Sequence, residues 1–240
     1  MNAYLGSDRL KMSYIRTALE HEEADSYVKG IYWAEAEKRG CNIGCWTKAE
    51  SGRHGALAAE MGVPEQLLHL SDGLFEALPD PHFKSWSRRF AGAIPVGADL
   101  GHVGGEFLHW LLCDDQWGLK LLSSDGAMRS LFRDMGRELW AAWTRGDAPS
   151  SDMQRRVDGA RQGLSAWRSW DEHALRDMRA LRASLELWKA RPRDTKSLAR
   201  AAWSCRAAWS AWESYSVAQS EALIDMLGQS QAPAPFLACA

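Results

Sequence analysis

The sequence predicts an all-α protein: an N-terminal bundle of short helices followed by two to three long antiparallel amphipathic helices. Three observations carry this reading. Apolar residues recur at three- and four-residue spacing along most of the chain, and proline, glycine and capping aspartate or serine fall between the periodic runs. No segment longer than a few residues alternates as a half-buried strand would. The chain has 240 residues, 46% hydrophobic and 25% charged, with a formal net charge of −2. Those values suit one large domain or two small ones and exclude a disordered, collagen-like or disulfide-dense chain. The pattern divides into an N-terminal helical domain at 1–122 and a long-helix region at 123–228 packed on it, separate or continuous with the first, with a disordered end at 229–240.

Taken in order, Leu10, Tyr14, Thr17, His21, Ala24 and Val28 form one stripe of a helix that starts after Ser7. Gly30 and Gly40 bracket an irregular stretch, and the run Gly40-Cys41-Asn42-Ile43-Gly44-Cys45 reads as a turn leading into a short helix. Pro64 suits the first position of the next helix, which carries Leu67, Leu68, Leu74 and Phe75 and stops before Pro79. Asp80-Pro81 opens another, with Phe83, Trp86 and Phe90 on one side and Pro95 and Gly97 beyond its end. Asp99 is an N-cap for a third, through Val103, Phe107, Trp110 and Leu111.

Beyond Ser124 the runs lengthen. Met128, Leu131, Phe132, Met135, Leu139 and Trp143 make an amphipathic helix stopped by Gly146. Ser151 with Gln154 has the capping-box pattern, and the periodicity then runs from Val157 to Trp188 as one helix of many turns, ended by Pro192. Asp194 caps a last helix through Leu198, Cys205, Trp209, Trp212 and Leu223.

Thirteen tryptophans are several times what ordinary usage gives, and six of them form three pairs with members three apart: Trp140–Trp143, Trp167–Trp170 and Trp209–Trp212. Such pairs share a helix face. They read first as an aromatic packing seam, and otherwise as an exposed strip for a partner or a flat ligand. Residues 1–120 carry a net −5 and residues 121–240 a net +3, with arginine concentrated between Arg155 and Arg206. Interleaved Asp171, Glu172, Asp177 and Glu186 make that face read first as a solvated helix surface and otherwise as a basic, Trp-bearing face for phosphate or an acidic partner, with binding to nucleic acid the weakest reading.

Reactive side chains are densest near the N-terminus. His21 and Asp25 stand four apart, so that on a helix the carboxylate holds one imidazole nitrogen and frees the other. Cys41 and Cys45 are also four apart, and His54 follows. Three readings compete. As a metal site, His21, Cys41, Cys45 and His54 supply the two thiolates and two imidazoles that zinc accepts, with Asp25 behind them. As a catalytic site, Cys45 is a nucleophile at a helix N-terminus, His54 or His21 its base, and Asp25 or Asp99 the orienting acid. As structure, these are core histidines and buried free thiols. His69, His82, His102, His109 and His173 are weaker candidates, and Cys113, Cys205 and Cys239 have no local partner.

These motifs resemble an uncharacterised family of bacterial and phage proteins. The shared elements are His21-Glu22-Glu23-Ala24-Asp25, Gly40-Cys41-Asn42-Ile43-Gly44-Cys45, His54, Gly62-Val63-Pro64, Leu78-Pro79, the segment from Ile94 to Leu100, and Trp110-Leu111-Leu112. They span roughly residues 18–115, and the Ala- and aromatic-rich tail is similar in composition alone. The chain departs at Trp46, which stands before Thr47 where the family has threonine directly after the second cysteine. The resemblance implies no reaction. It implies a site around His21, Asp25, Cys41, Cys45 and His54, or a phage accessory protein that binds and inhibits a host defence protein through a Trp/Arg-rich surface.

The first residues lack a signal-peptide apolar core, and no run reaches membrane-spanning length, so a cytoplasmic protein with free thiols is expected.

Overall fold

A computed structural model describes residues 2–166, 168 and 171–230. Trp167, Trp170 and Cys239, and the expected disordered end from residue 231 onward, lie outside the described residues. The fold is all-α apart from one short ribbon.

Helix α1, Asp8–Glu23, is capped by Ser7, whose hydroxyl accepts from the Leu10 N–H at 3.2 Å. It ends sooner than its stripe predicts, because Asp25 takes a φ of +49° and turns the chain before Val28. Strands β1 (Trp33–Ala34) and β2 (Arg39–Gly40) then pair antiparallel, Trp33 opposite Gly40. Two residues per strand are too few to leave an alternation in the sequence. Five further helices complete this half: α2 (Asn42–Thr47), α3 (His54–Met61), α4 (Glu65–Ala77), α5 (His82–Ala93) and α6 (Val103–Cys113). Asp99 does not cap α6 itself; it accepts the Gly101 N–H at 3.1 Å in the turn before it, and His102 occupies the cap position.

Helix α7, Gly126–Arg145, is capped by Asp125 and stopped by Gly146 at a φ of +74°. The other two long helices expected are each divided, giving α8 (Ser151–Ser165), α9 (Glu172–Trp188), α10 (Ser197–Ala208) and α11 (Trp212–Gln229). The first break has a local cause and the second a distant one. Ser150, one residue earlier than expected, caps α8, and Asp171 supplies a fresh cap by accepting the Ala174 N–H at 2.9 Å, which starts α9 anew. At the second break Trp209 takes extended backbone, and its ring stacks on Tyr215 at 5.3 Å and tilts against Trp117 at 5.4 Å. Ring packing there replaces helix continuity, so Trp209 and Trp212 do not share a helix face.

One core runs from Ala3 to Leu227 and draws on both halves, with Trp86, Trp188, Tyr4 and Tyr215 its largest enclosed side chains. Glycines let α6 and α7 approach: a Cβ on Gly104 would sit 2.2 Å from the Trp143 ring. Helices α4 and α10 lie side by side, close enough that a Cβ on Gly73 would touch Ala199 at 3.6 Å. Among the described residues no helix is long and apolar enough to cross a membrane.

Candidate functional site

The Gly-Cys repeat is a packing device. A Cβ on Gly40 would fall 1.9 Å, and one on Gly44 1.4 Å, from the Tyr32 carbonyl oxygen, so only glycine lets that backbone cross the start of α2. Cys41 is the N-cap of α2, its sulfur accepting from the Gly44 N–H at 3.4 Å. Cys45 lies inside the helix, fully buried, and its thiol donates to the Gly40 carbonyl at 3.5 Å. The helix terminus therefore serves Cys41, whereas the sequence suggested Cys45. Burial pushes the Cys45 thiol up to about 12. It pushes Cys41 higher still, with the Asp72 carboxylate beside it adding to the rise. Both are held as thiols, the form that neither attacks nor ligates well.

The structure divides the predicted residues into two groups. His21, half-buried, meets the main chain of Cys45 and the edge of Trp33 at 5.7 Å, and burial lowers its pKa. Asp25 does not orient it: α1 has ended, and Asp25 is exposed and paired with Lys84 at 2.7 Å, which holds its carboxyl below the usual range. On the other side, His54 is 3% exposed and places Nε2 3.1 Å from Asp72 Oδ2. Its ring stacks on His69 at 3.8 Å, and His69 stands 3.4 Å from Glu65. Burial and the adjoining His54 lower the pKa of His69. Cys41 and His54 thus meet at Asp72, with the carboxylate between them, while Cys45 and His21 meet elsewhere. Among the described residues no three His, Cys, Asp or Glu side chains converge as a metal ion would require. The zinc set His21, Cys41, Cys45 and His54 is not assembled, because the thiols are turned to the Gly40 carbonyl and to Asp72. Sequence reasoning missed Asp72, although its place three residues after His69 on one helix was a usable signal.

A second arrangement lies between the C-terminal end of α4 and the break between α10 and α11. Glu76, Ala77, Trp203, Arg206, Ala207, Trp209 and Trp212 line an open groove of ≈ 530 Å³. Trp203 is 62% and Trp212 51% exposed, whereas Arg206 beneath them is 6% exposed. The guanidinium lies 4.4 Å from the Trp203 ring centre and donates to the Gly73 carbonyl at 3.4 Å. It forms no ion pair with any carboxylate among the described residues. Burial lowers its pKa to about 10. The indole N–H of Trp209 is shielded from water and finds no acceptor among the described residues. Glu76 is engaged elsewhere, accepting the Gly30 N–H at 3.0 Å. Of the lining rings, Trp209 is held by stacking behind the groove: Phe107, Trp110, Tyr215 and Trp209 follow one another with ring centres 5.3 to 6.2 Å apart.

The remaining arginines of the basic half are largely spent on neighbours. Arg137 and Arg156 both pair with Asp134, Arg155 with Asp152, Arg161 with Asp158 and Arg176 with Glu172. That leaves Arg206 as a buried cation of a different kind. The Trp209–Trp212 pair marked this region in the sequence, and the i, i+3 spacing of Trp203 and Arg206 completed it unnoticed. No known protein family, no curated protein and no solved structure matches this chain.

Proposed function

We propose that this protein acts by binding a protein partner through the groove around Trp203, Arg206, Trp209 and Trp212, and not through thiol or metal chemistry. The observation that carries the reading is a contiguous pair of exposed indoles over a buried guanidinium. Tryptophan and arginine are among the side chains that most often anchor protein interfaces: the indole buries a large area with few rotatable bonds, and the guanidinium offers a planar fork of directional donors. The groove volume is that of a pocket for one or two side chains or a small ligand. By contrast, the His/Cys region supplies no thiolate, and its imidazoles are spent on Asp72, Glu65 and backbone. The inhibition of a host protein implied by the family resemblance is a use to which the same surface lends itself.

Capture from bacterial lysate by three immobilised forms separates the readings: wild type, Trp203→Ala/Trp212→Ala, and Cys45→Ser. The expected result is a defined partner retained by wild type and Cys45→Ser and reduced at least about tenfold by the double tryptophan variant, since anchor truncations cost about 2 kcal/mol or more. Trp140→Ala, removing a 40% exposed indole outside the groove, should change nothing. Loss in Cys45→Ser with retention in the tryptophan variant would refute the proposal.

A further inference from the structure

We infer that the groove receives a carboxylate of its partner on the Arg206 guanidinium, carried by a chain segment whose adjacent apolar side chain lies against Trp203 and Trp212. This rests on the binding role proposed above and specifies the chemistry of what enters.

The reasoning starts from an imbalance. A guanidinium removed from water is normally matched by a carboxylate and a full set of acceptors, because an uncompensated buried charge is costly. Arg206 is 6% exposed, yet what the described residues give it is one long hydrogen bond, at 3.4 Å, and one indole face. Arg206 lines an apolar groove, and Trp209 beside it on the same wall keeps a shielded N–H without an acceptor among the described residues. Donors without acceptors, at a cavity wall, are what an anion site offers before its anion arrives.

The charge count selects a carboxylate over a phosphate. The nearby cation Lys29 is bonded to the Leu78 carbonyl and lies over the Phe83 ring at 4.7 Å, and it does not line the groove. Glu76, which does line it, already brings a negative group to the rim. A dianion on Arg206 would leave one negative charge uncompensated among indoles, whereas a carboxylate is matched one to one and fits the guanidinium fork with two parallel hydrogen bonds. The exposed rims select a chain segment over a free metabolite. A small acid resting on Arg206 leaves Trp203 and Trp212 wet, while a segment continuing past the carboxylate covers both.

Titration of the full chain with acetyl-Phe-Glu-Leu-amide and acetyl-Phe-Gln-Leu-amide, followed by tryptophan emission, tests this. Loss of one charge-assisted hydrogen-bond pair corresponds to about tenfold or more, so the glutamate peptide should bind at least about tenfold more tightly than its amide isostere. Arg206→Met should erase that difference while keeping or raising the melting temperature, since an apolar side chain replaces a buried unpaired charge. Arg206→Lys should retain part of it. Trp203→Ala should weaken both peptides together. Equal binding of the two peptides to wild type, no saturable binding of either, or undiminished discrimination in a folded Arg206→Met variant would each overturn the inference. In the first case, weakening of both by Trp203→Ala would leave the groove standing as a binding surface with only the carboxylate assignment lost. Sodium N-acetylphenylalaninate binding as tightly as the glutamate peptide would overturn the chain segment as its source.

Discussion

Cys41 and Cys45 show how far residue identity and spacing carry. Their four-residue separation and flanking glycines were visible in the sequence, and so was the possibility of reactive thiols. What the spacing did not contain is the direction of each sulfur, which depends on Tyr32 crossing above the glycines and on Asp72 arriving from a helix thirty residues later. Burial raises the pKa of both thiols, Asp72 adds to the rise at Cys41, and Cys205 is raised by complete burial as well. The native protein at pH 8 should therefore alkylate slowly with iodoacetamide at Cys41, Cys45 and Cys205. Raising the pH toward 10 should accelerate Cys45 about tenfold per unit yet leave it far slower than an exposed thiol, because its thiol titrates at about 12 and only about one in a hundred is ionised at pH 10. Mass-spectrometric mapping over time checks this, and rapid native alkylation of Cys45 would contradict the placement described.

At the scale of elements, most helix positions were legible because they rest on local rules: the helix start after Ser7 and the Gly146 stop were readable from neighbours alone. Some misreadings are local, such as the fresh cap at Asp171 that starts α9, and the others depend on distant partners. Trp209 leaves the helix to stack on Tyr215 and Trp117, and no local pattern announces that choice. The ribbon at Trp33–Gly40 and the glycines of α2 form a single unit, in which the Cys41 N–H donates to the Ile31 carbonyl at 2.8 Å and Gly44 lies under Tyr32. Gly44→Ala should cost about 3 kcal/mol or more in chemical denaturation, because the obstacle is backbone that cannot rotate away. Gly159→Ala, on the open face of α8, should instead stabilise by roughly 0.5–1 kcal/mol, since its Cβ meets nothing within 4 Å. Equal effects at the two sites would contradict the close crossing.

For the whole molecule, three histidines, His21 and His69 partly buried and His109 exposed, tie stability to pH. Burial lowers the pKa values of His21, His69 and His109 in the folded chain, with a neighbouring histidine contributing for His69 and Lys120 for His109. Well above pH 6.5, the ordinary histidine value, both folded and unfolded chains keep these rings neutral. As pH falls below that, the unfolded chain takes up protons first, so stability falls until each folded-state pKa is passed. Partial exposure screens the effect, so the expected outcome is a modest fall in melting temperature between pH 7 and pH 5. Glu76, whose carboxyl burial raises, works in the opposite sense toward the acid end. A melting temperature that rose over the same interval would show that other groups dominate. The same long-range logic explains the candidate site. The His/Cys cluster was conspicuous in sequence and is divided in space, whereas the groove joins α4 to residues 203–212 across more than a hundred positions.

The binding account is tested most directly by hydrogen exchange on the chain alone and in complex with the protein it captures. Slowed exchange should centre on the second half of α10 and the first turn of α11, residues 203–215, with weaker protection at the C-terminal end of α4. Protection confined to residues 31–54, leaving the groove as open in the complex as in the free chain, would contradict it.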